Sequence, residues 1–299
     1  MSQIFDALHQ SATERAGNDS RAFSAAKELL EMVERKAGSS APPVQQPLQL
    51  ACREPWRQVP LARVVLPEHS KFVCFAQTDS LAAEKFRFLA TRLRHMQQKR
   101  ALKRLVITSS VAEEGKSMVA ANLACALAAG KQQVLLLEGD LRRPTLATQL
   151  GLEELPGLSQ MLQSGTNAIN NIYHLESAGF CILLAGDVHS NPLEFMEPVK
   201  LSGFMESLSI EFDWVVIDSP PVLPLADTSI WIRLADAVML VTRPGVTSKR
   251  QLQRALEAVE QSKLLGAVLN ASTEATTSHY YYRYAARTGG LQLSNSAAK

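Results

Sequence analysis

Long apolar runs and a secretory leader are both missing from this chain of 299 residues. No stretch approaches the ~20 consecutive apolar residues that a membrane-spanning helix needs. The first ten residues, MSQIFDALHQ, lack the basic start and apolar core of a signal peptide. These two absences predict a cytoplasmic protein.

Paired cysteines and an excess of one charge are missing as well. The four cysteines, at positions 52, 74, 125 and 181, form no C-x-x-C pair, which argues against a zinc site or a disulfide framework. Lys and Arg number 31 against 29 Asp and Glu, a net charge of +2. Because nucleic-acid binding proteins usually carry a strong basic excess, we expect small-molecule and protein partners and no nucleic acid.

The chain divides into four predicted segments. Helical spacing of apolar residues over 1–38 predicts an N-terminal helical arm. Five prolines without periodicity between 39 and 60 predict a Pro-rich linker, which we extend over 39–75. The domain is predicted over 76–271. The polar residues 272–299, which hold four of the five tyrosines, are predicted to form a flexible C-terminal tail.

Alternating apolar runs and helical patterns predict the fold of the domain. A first helix is expected to begin at Asp79 or Ser80 and to turn Leu81, Phe86, Leu89 and Leu93 inward. Strands are predicted at 104–108, 133–140, 181–186, 214–218, 237–242 and 266–270, and helices at 117–129, 157–164, 193–208 and 247–262. Near-continuous apolar strands alternating with helices indicate an α/β fold, a mostly parallel sheet with helices on both faces.

The first strand leads into TSSVAEEGKSM and then a helix, the context that a phosphate-binding P-loop requires. Gly115 would let the backbone approach the phosphates, Lys116 would neutralise their oxygens, and Ser117 would ligate Mg²⁺. The usual first glycine of the loop is replaced by Ser110. The tripeptide alone is also compatible with an ordinary helix start. Candidate nucleotide-binding residues are Ser110, Glu114, Gly115, Lys116, Ser117 and Met118.

Polar side chains follow three further strands. VLLLEGD ends in Glu138 and Asp140, FDWVVID ends in Asp218, and GAVLN ends in Asn270. Ligands of open α/β sheets bind at the carboxyl ends of the strands, so these groups are expected at one edge. Asp218 matches a Walker B carboxylate, which holds the Mg²⁺ shell. Asn270 is a candidate for contact with the nucleotide base, or else a simple turn residue.

Together these segments resemble the bacterial tyrosine kinases (BY-kinases) of the CpsD/CapB/Wzc polysaccharide type, over about residues 79–284. The matching segments are TSSVAEEGKS, VLLLEGDLRRP, FDWVVIDSPPVLPLAD, GLSQML, NPLE, DAVMLVTRPGVT and the terminal tyrosine cluster. The resemblance implies a P-loop NTPase fold of the MinD/ParA type with ATP and Mg²⁺ as cofactors. MinD- and ParA-like ATPases carry an early lysine where Val111 stands here, which favours the kinase branch.

The resemblance also implies roles for individual residues. Lys116, Glu138, Asp140 and Asp218 would be catalytic, with Ser117, Asp140 and Asp218 holding the metal. Glu138 stands where the family has an aspartate assigned to metal coordination or hydroxyl activation. Arg142 and Arg143 match the family's basic pair. The phosphoacceptors would be Tyr280, Tyr281, Tyr282 and Tyr284.

Partners are likewise implied by the resemblance. They are further copies of the chain in a homo-oligomer, usually a ring, a membrane chain-length or co-polymerase activator, and a tyrosine phosphatase. Recruitment to the inner face of the membrane through that activator is expected. The family's oligomerisation helix carries E-x-x-R-x-x-R. Glu84 and Arg87 match its first two positions, but Ala90 occupies the third, and a solvated surface pair is the alternative for the first two.

Two loop positions leave alternatives to the kinase open. Glu113 replaces a glycine of the P-loop, and Glu138 is one methylene longer than the family's aspartate. The leading prediction is an ATP-dependent tyrosine autokinase that phosphorylates its own C-terminal cluster in trans and regulates capsule or exopolysaccharide export. The alternatives are a nucleotide-binding pseudokinase of the same system and a ParA/MinD-like ATPase.

Overall fold

The computed structural model describes residues 59–68, 70–164, 171–187, 194, 196–223 and 226–271. The predicted arm, the first part of the predicted linker and the tyrosine-rich tail lie outside these ranges. The helices and strands are α1 Val73–Ala76, α2 Leu81–Gln97, β1 Arg104–Ser109, α3 Lys116–Ala129, β2 Val134–Glu138, α4 Leu146–Leu150, α5 Leu158–Ser164, β3 Tyr173–Leu175, β4 Phe180–Leu183, α6 Pro198–Glu211, β5 Trp214–Asp218, α7 Ala226–Leu234, β6 Ala237–Thr242, α8 Lys249–Ala258 and β7 Leu264–Leu269.

The strands of the described ranges form one sheet in the order β3-β4-β2-β5-β1-β6-β7. Every neighbouring pair is parallel except β3 and β4. Glu138, the last residue of β2, lies directly beside Asp218, the last residue of β5. The parallel register therefore brings the two predicted carboxylates to the same edge of the sheet.

The central strands of the sheet are buried on both faces. All residues of β2 and β5 are buried, and successive residues of β1 point into opposite cores, Leu105 and Ile107 to one and Val106 to the other. This two-sided burial explains why the strands read as unbroken apolar runs. Helix α3 packs on the face of the sheet that carries Leu105 and Ile107. Most of its buried side chains are small, which lets the helix lie close to the sheet.

The fold class and the six predicted strands are confirmed, two of them, β5 and β6, with the predicted bounds. The sequence alone did not predict β3, which has three residues and pairs antiparallel at the edge beyond β4, or the helices α1, α4 and α7. Three residues are too few to show a period of two, and the turn-like start of α7 after two prolines hides its helical pattern.

Helix α2 begins as predicted, with Ser80 as its N-cap: the hydroxyl accepts a hydrogen bond from the Ala83 amide at 3.1 Å. Leu93 is buried as predicted, but the expectation for Leu81 is wrong, because this side chain is 48% exposed. A helix turns by about 100° per residue, which places Leu81 about 180° from the buried Ala90.

The end of the predicted linker is also corrected. Ala62, Val64 and Leu66 pack against the core while the residues between them face outward, and Phe72 is fully buried. The Ala62 amide donates to the carbonyl of His174 on β3 at 3.0 Å. Residues 59–66 are therefore an extended segment lying beside β3, with a period of two that the neighbouring prolines obscured.

None of the helices in the described ranges is long and apolar enough to cross a membrane.

Candidate nucleotide-binding site

The loop between β1 and α3 has the backbone shape of a P-loop. Gly115 has a φ of +86° and forms the N-cap of α3. A Cβ atom at this position would lie 2.2 Å from Nδ2 of Asn270, so glycine is required both by the conformation and by the space. The free amides at the start of α3, which include those of Lys116 and Ser117, are the groups that bind phosphate in such loops.

Two other loop positions are unusual. Glu113, which replaces a glycine, has a φ of 66°, in the left-handed region that side-chain-bearing residues seldom adopt. The Ser110 hydroxyl is buried and has no hydrogen-bond partner among the described residues. A buried, unpartnered donor at the mouth of this loop is available to a ligand.

Glu114 is fully buried and holds the loop in place through its side chain. Its Oε2 accepts from the Val111 amide at 2.8 Å, and its Oε1 accepts from the Arg243 amide at 3.3 Å and from the Thr247 hydroxyl. Burial raises the pKa of this carboxyl above its ordinary value, against the lowering effect of its hydrogen bonds with the Val111 and Arg243 amides. Glu114 therefore fastens the P-loop to the loop between β6 and α8.

The P-loop lysine lies beside a predicted carboxylate. Nζ of Lys116 is 2.9 Å from Oδ2 of Asp140, and both side chains are largely buried. Burial lowers the pKa of Lys116, but Asp218, Asp140 and Glu138 together raise it above its ordinary value. The ammonium is therefore charged and positioned to exchange its carboxylate partner for phosphate oxygens.

Asp218 is 1% exposed, and neither of its carboxylate oxygens has a hydrogen-bond partner among the described residues. Burial raises its pKa to about 7, against the opposing effect of the positive charge of Lys116. A buried carboxylate without partners is costly unless a cation or donor completes it. Asp218 lies at the end of β5, beside the P-loop. A buried carboxylate at this place without partners among the described residues indicates a cation site.

Glu138 is 1% exposed but, unlike Asp218, has a full set of partners. Oε1 accepts from the amides of Thr145 and Leu146, each at 2.7 Å, and Oε2 accepts from the amide of Ala185 at 2.9 Å. Burial raises the pKa of Glu138 above its ordinary value, although these three amides oppose the shift. The carboxylate thus joins the start of α4 to the end of β4.

Residues that the sequence reading did not single out hold the two carboxylate-bearing strand ends together. The Gly139 amide donates to the Asp218 carbonyl at 2.7 Å, and the indole Nε1 of Trp231 donates to the Gly139 carbonyl at 3.0 Å. The indole also fills the space where a Cβ of Gly139 would lie, at 2.8 Å. A tryptophan in a helix normally indicates core packing, so no local sequence signal identified this role.

The basic pair after Asp140 divides between two surroundings. Arg142 forms an ion pair with the buried Asp227 of α7, with 3.1 Å between Nη2 and Oδ1. Arg143 is exposed, and its backbone amide donates to Oδ1 of Asp140 at 3.1 Å. Arg142 therefore anchors this loop to α7, and Arg143 shapes it through the main chain.

Asn270 lies at the P-loop, as its place at the end of β7 predicted. Its Nδ2 donates to the Glu114 carbonyl at 2.8 Å, and its own amide donates to the Thr242 carbonyl at 2.8 Å. The side chain thus braces the P-loop backbone. Contact with a nucleotide base stays a prediction.

The predicted oligomerisation residues lie on α2. Glu84 and Arg87 form an ion pair with each other on the exposed surface of the helix. Ala90, which replaces the family's second arginine, is 3% exposed and belongs to the core, so the motif's third position faces inward here. An oligomeric role stays a prediction, and the four tail tyrosines lie outside the described residues.

The residues present fit a magnesium ion held together with a nucleotide. Mg²⁺ in nucleotide sites is bound by one or two carboxylates, with water and phosphate oxygens completing its octahedron. Ser117, Asp140 and Asp218 supply a hydroxyl and two carboxylates at one sheet edge, and the carboxylate of Asp218 has no hydrogen-bond partner in the described ranges. In the described part of the chain, no group of three or more His, Cys, Asp or Glu side chains forms a self-sufficient metal site.

The chain resembles known proteins over most of its length. A family model described as ParA, NUBPL iron-transfer P-loop NTPase, matches residues 101–294. Tyrosine-protein kinase YwqD of Bacillus subtilis (strain 168) is 34% identical over 216 residues, 70% of this chain and 90% of the relative.

Solved structures show the same likeness. The chimerical protein CapA2B2 superimposes with a TM-score of 0.64 at 28% identity, covering 71% of this chain and 94% of that one. The cell division ATPase MinD of Pyrococcus furiosus gives a TM-score of 0.51 at 27% identity, covering 58% and 74%. The sequence and fold together show that the chain belongs to the bacterial tyrosine kinase family of P-loop NTPases, related to ParA and MinD.

Proposed function

We propose that this protein is an ATP-dependent protein-tyrosine autokinase that phosphorylates its C-terminal tyrosines in trans. The observation that carries the proposal is Asp218, a buried carboxylate beside the P-loop that has no hydrogen-bond partner among the described residues. Binding of a nucleotide by itself requires only the P-loop. A carboxylate kept free of partners beside it supplies the cation site that phosphoryl transfer requires.

Each residue of the site has a proposed part in the transfer. Lys116 leaves Asp140 to pair with phosphate oxygens, and the amides at the start of α3 hold the phosphate chain in line. Ser117, Asp140 and Asp218 would hold Mg²⁺, which would supply positive charge to offset the negative charge of the phosphates. Phosphoryl transfer depends mainly on such positioning and charge stabilisation, with little covalent chemistry for side chains to perform.

The acceptors in this proposal are Tyr280, Tyr281, Tyr282 and Tyr284 of a neighbouring subunit. Each phosphate adds about −1.5 to −2 charges at pH 7. Several in one short segment would repel each other and any acidic surface. This charge change is the proposed signal to the polysaccharide export machinery, and a tyrosine phosphatase would reverse it.

The kinase is tested by incubating the full chain with Mg²⁺ and ATP and detecting phosphotyrosine by immunoblot and mass spectrometry. Phosphate is expected on the tail, and Lys116→Met is expected to abolish it. Addition of the membrane co-polymerase partner is expected to increase the signal. Absence of a Lys116-dependent signal with that partner present would contradict the proposal, and nucleotide binding without turnover would instead support the pseudokinase alternative.

Transfer between subunits is tested by mixing two chains, neither of which can label its own tail. One carries Lys116→Met with its tyrosines intact, and the other keeps Lys116 but has the four tail tyrosines replaced by phenylalanine. Phosphotyrosine on the first chain is expected only in the mixture. Lack of signal in the mixture, together with normal labelling of the unaltered protein, would show that transfer occurs within one chain.

A further inference from the structure

The surroundings of Glu138 differ from those of the two aspartates at the same edge. Both of its oxygens are engaged by backbone amides: Thr145 and Leu146 donate to Oε1, and Ala185 donates to Oε2. A carboxylate that binds a metal or takes a proton from an incoming hydroxyl needs a lone pair directed at the reacting group. At 1% exposure, Glu138 directs its oxygens at the main chain instead.

One of these amides connects Glu138 to the proposed metal site. Thr145, whose amide is held by Glu138, places its hydroxyl oxygen 3.3 Å from the hydroxyl oxygen of Ser117. The Thr145 hydroxyl donates to the Ser117 oxygen, which has two lone pairs and so keeps one for Mg²⁺. This hydrogen bond helps to set the rotamer of Ser117.

We propose that Glu138 is a positioning residue that fixes Thr145, so that the Thr145 hydroxyl orients Ser117 toward Mg²⁺. This inference rests on the Mg²⁺–nucleotide site of the proposed function and does not require tyrosine phosphorylation. Residues that orient a metal ligand from behind typically change metal affinity about 10- to 100-fold when they are replaced. The added methylene of glutamate spans the distance from β2 to the α4 amides.

If Glu138 acts through Thr145, replacement of either residue should change Mg²⁺ binding in the same way. A Glu138 that served as a base or as a metal ligand would give effects that the Thr145 variants do not reproduce. Thr145→Val keeps the amide that Glu138 holds and removes only the hydroxyl. Thr145→Ser keeps the hydroxyl and serves as the matched control. Glu138→Gln removes the charge that gathers the three amides, and the Thr145 variants remain informative if this buried replacement lowers the yield of folded protein.

The measurement is the binding of a fluorescent ATP analogue to the full chain as Mg²⁺ is titrated, repeated with EDTA. Thr145→Val and Glu138→Gln are each expected to raise the Mg²⁺ concentration for half-maximal binding about tenfold. Binding in EDTA is expected to change much less, and Thr145→Ser is expected to match the unaltered protein. Because both residues act through one hydrogen bond, the double variant is expected to be no worse than the more affected single variant.

Unchanged Mg²⁺ dependence in Thr145→Val would overturn the proposal. So would a Glu138→Gln protein that binds Mg²⁺ and nucleotide normally while its rate of phosphoryl transfer is lost, the pattern expected of a base. A shifted Mg²⁺ dependence in a protein that fails the tyrosine-labelling assay would leave this inference standing and overturn the kinase proposal alone.

Discussion

Glu113 carries a local cost in the P-loop. Its φ of 66° lies where a side-chain-bearing residue is disfavoured by about 1–2 kcal/mol, and its side chain is exposed. The carbonyl of the same residue faces the guanidinium of Arg243, at 3.5 Å from Nη1. The loop thus keeps the backbone shape of its glycine-bearing relatives with a residue that is poorly suited to it.

Replacement of Glu113 by glycine is therefore expected to stabilise the protein. The gain should be about 0.5–1 kcal/mol, because relief of the left-handed strain exceeds the entropy that glycine adds to the unfolded chain. Removal of a negative charge near the phosphates should also tighten ATP binding. Thermal unfolding and ATP titration measure the two effects.

Lys131, with a φ of 61° after the end of α3, offers a matched control away from the P-loop. Lys131→Gly should give a similar gain in stability without a change in ATP affinity. Glu113→Ala separates charge from strain, since it removes the carboxylate but keeps the unfavourable conformation. Loss of stability in Glu113→Gly would contradict the interpretation of strain.

At the scale of elements, Glu114 joins two loops that follow different strands, the P-loop after β1 and the loop after β6. It accepts from Thr247 and the Arg243 amide, which follow β6, while Val111 completes the contact within the P-loop. Thr247 precedes Ser248, which caps α8 with a full capping box. The P-loop and the start of α8 are therefore parts of one hydrogen-bonded unit.

Thr247→Val is expected to loosen this unit. The buried Glu114 carboxylate would lose a donor, at a cost of about 1–3 kcal/mol in stability. ATP affinity should fall as well, because the P-loop would no longer be held in its binding shape. Thr247→Ser should restore both quantities, and denaturant unfolding with ATP titration checks them. Equal stability of the valine and serine variants would show that this hydrogen bond contributes nothing.

The end of the sheet away from the P-loop supplies a prediction for the pH dependence of stability. Asp236 accepts from the amides of Lys103 and Arg104, at 2.9 and 2.8 Å, and forms an ion pair with the Arg104 guanidinium. Burial alone would raise the pKa of Asp236, but the hydrogen bonds and charge of Arg104 outweigh it and lower the pKa below its ordinary value.

A lowered folded-state pKa stabilises the protein above the unfolded-state pKa of about 4, and this stabilisation is lost as pH falls through the folded value. Asp236→Asn is expected to cost about 1–3 kcal/mol at pH 7 and progressively less below pH 4. Denaturant unfolding at pH 7 and pH 3.5 measures the difference. A cost that is equal at both pH values would exclude the ion pair as its source, and ATP affinity should be unchanged.

The sequence predicted the elements of the fold and its sheet edge well, for a physical reason. Buried parallel strands such as β5 are apolar throughout, and their polar ends, including Asp218, stand out against that background. Local pattern does not reveal partners distant in sequence. The link between Glu138 and Ala185, or between Gly139 and Trp231, depends on the folded chain.

The same limit applies to the two carboxylates that end neighbouring strands. From the sequence, Glu138 and Asp218 are both expected to be site carboxylates at the sheet edge, since each ends an apolar run. The structure separates them: Glu138 has three amide partners and Asp218 has none in the described chain. Contacts made by the folded chain create that difference: the loop from Asp140 to Leu146 brings two amides to Glu138, and the segment after β4 brings the third, that of Ala185.

At the scale of the whole molecule, the site opposes the stability of the fold. The sheet buries Asp218 at the end of its middle strand, near Lys116, with no hydrogen-bond partner in the part of the chain that the structure describes. A free carboxylate in such a place costs stability until a cation arrives. Because a ligand that binds only the folded state stabilises it by about 2.7 kcal/mol at 100 times its Kd, the cost can be offset in the loaded protein.

Asp218→Asn is therefore expected to raise the stability of the ligand-free protein and to abolish its response to ligand. In EDTA at pH 8, above the pKa of about 7, removal of the buried charge should stabilise the fold by about 1–3 kcal/mol. The gain should shrink toward pH 5, where Asp218 of the unaltered protein is already protonated in the folded state. With Mg²⁺ and ATP added, the unaltered protein should gain more in melting temperature than the variant.

Asp213→Asn is the matched control, since Asp213 lies just before the same strand, where its Oδ2 accepts from the Gln133 amide at 2.9 Å. This variant should lose stability while keeping the full response to Mg²⁺ and ATP. A ligand-free Asp218→Asn protein that melts below the unaltered one would show that Asp218 stabilises the fold through contacts of its own, and the cation site would then lose its main support.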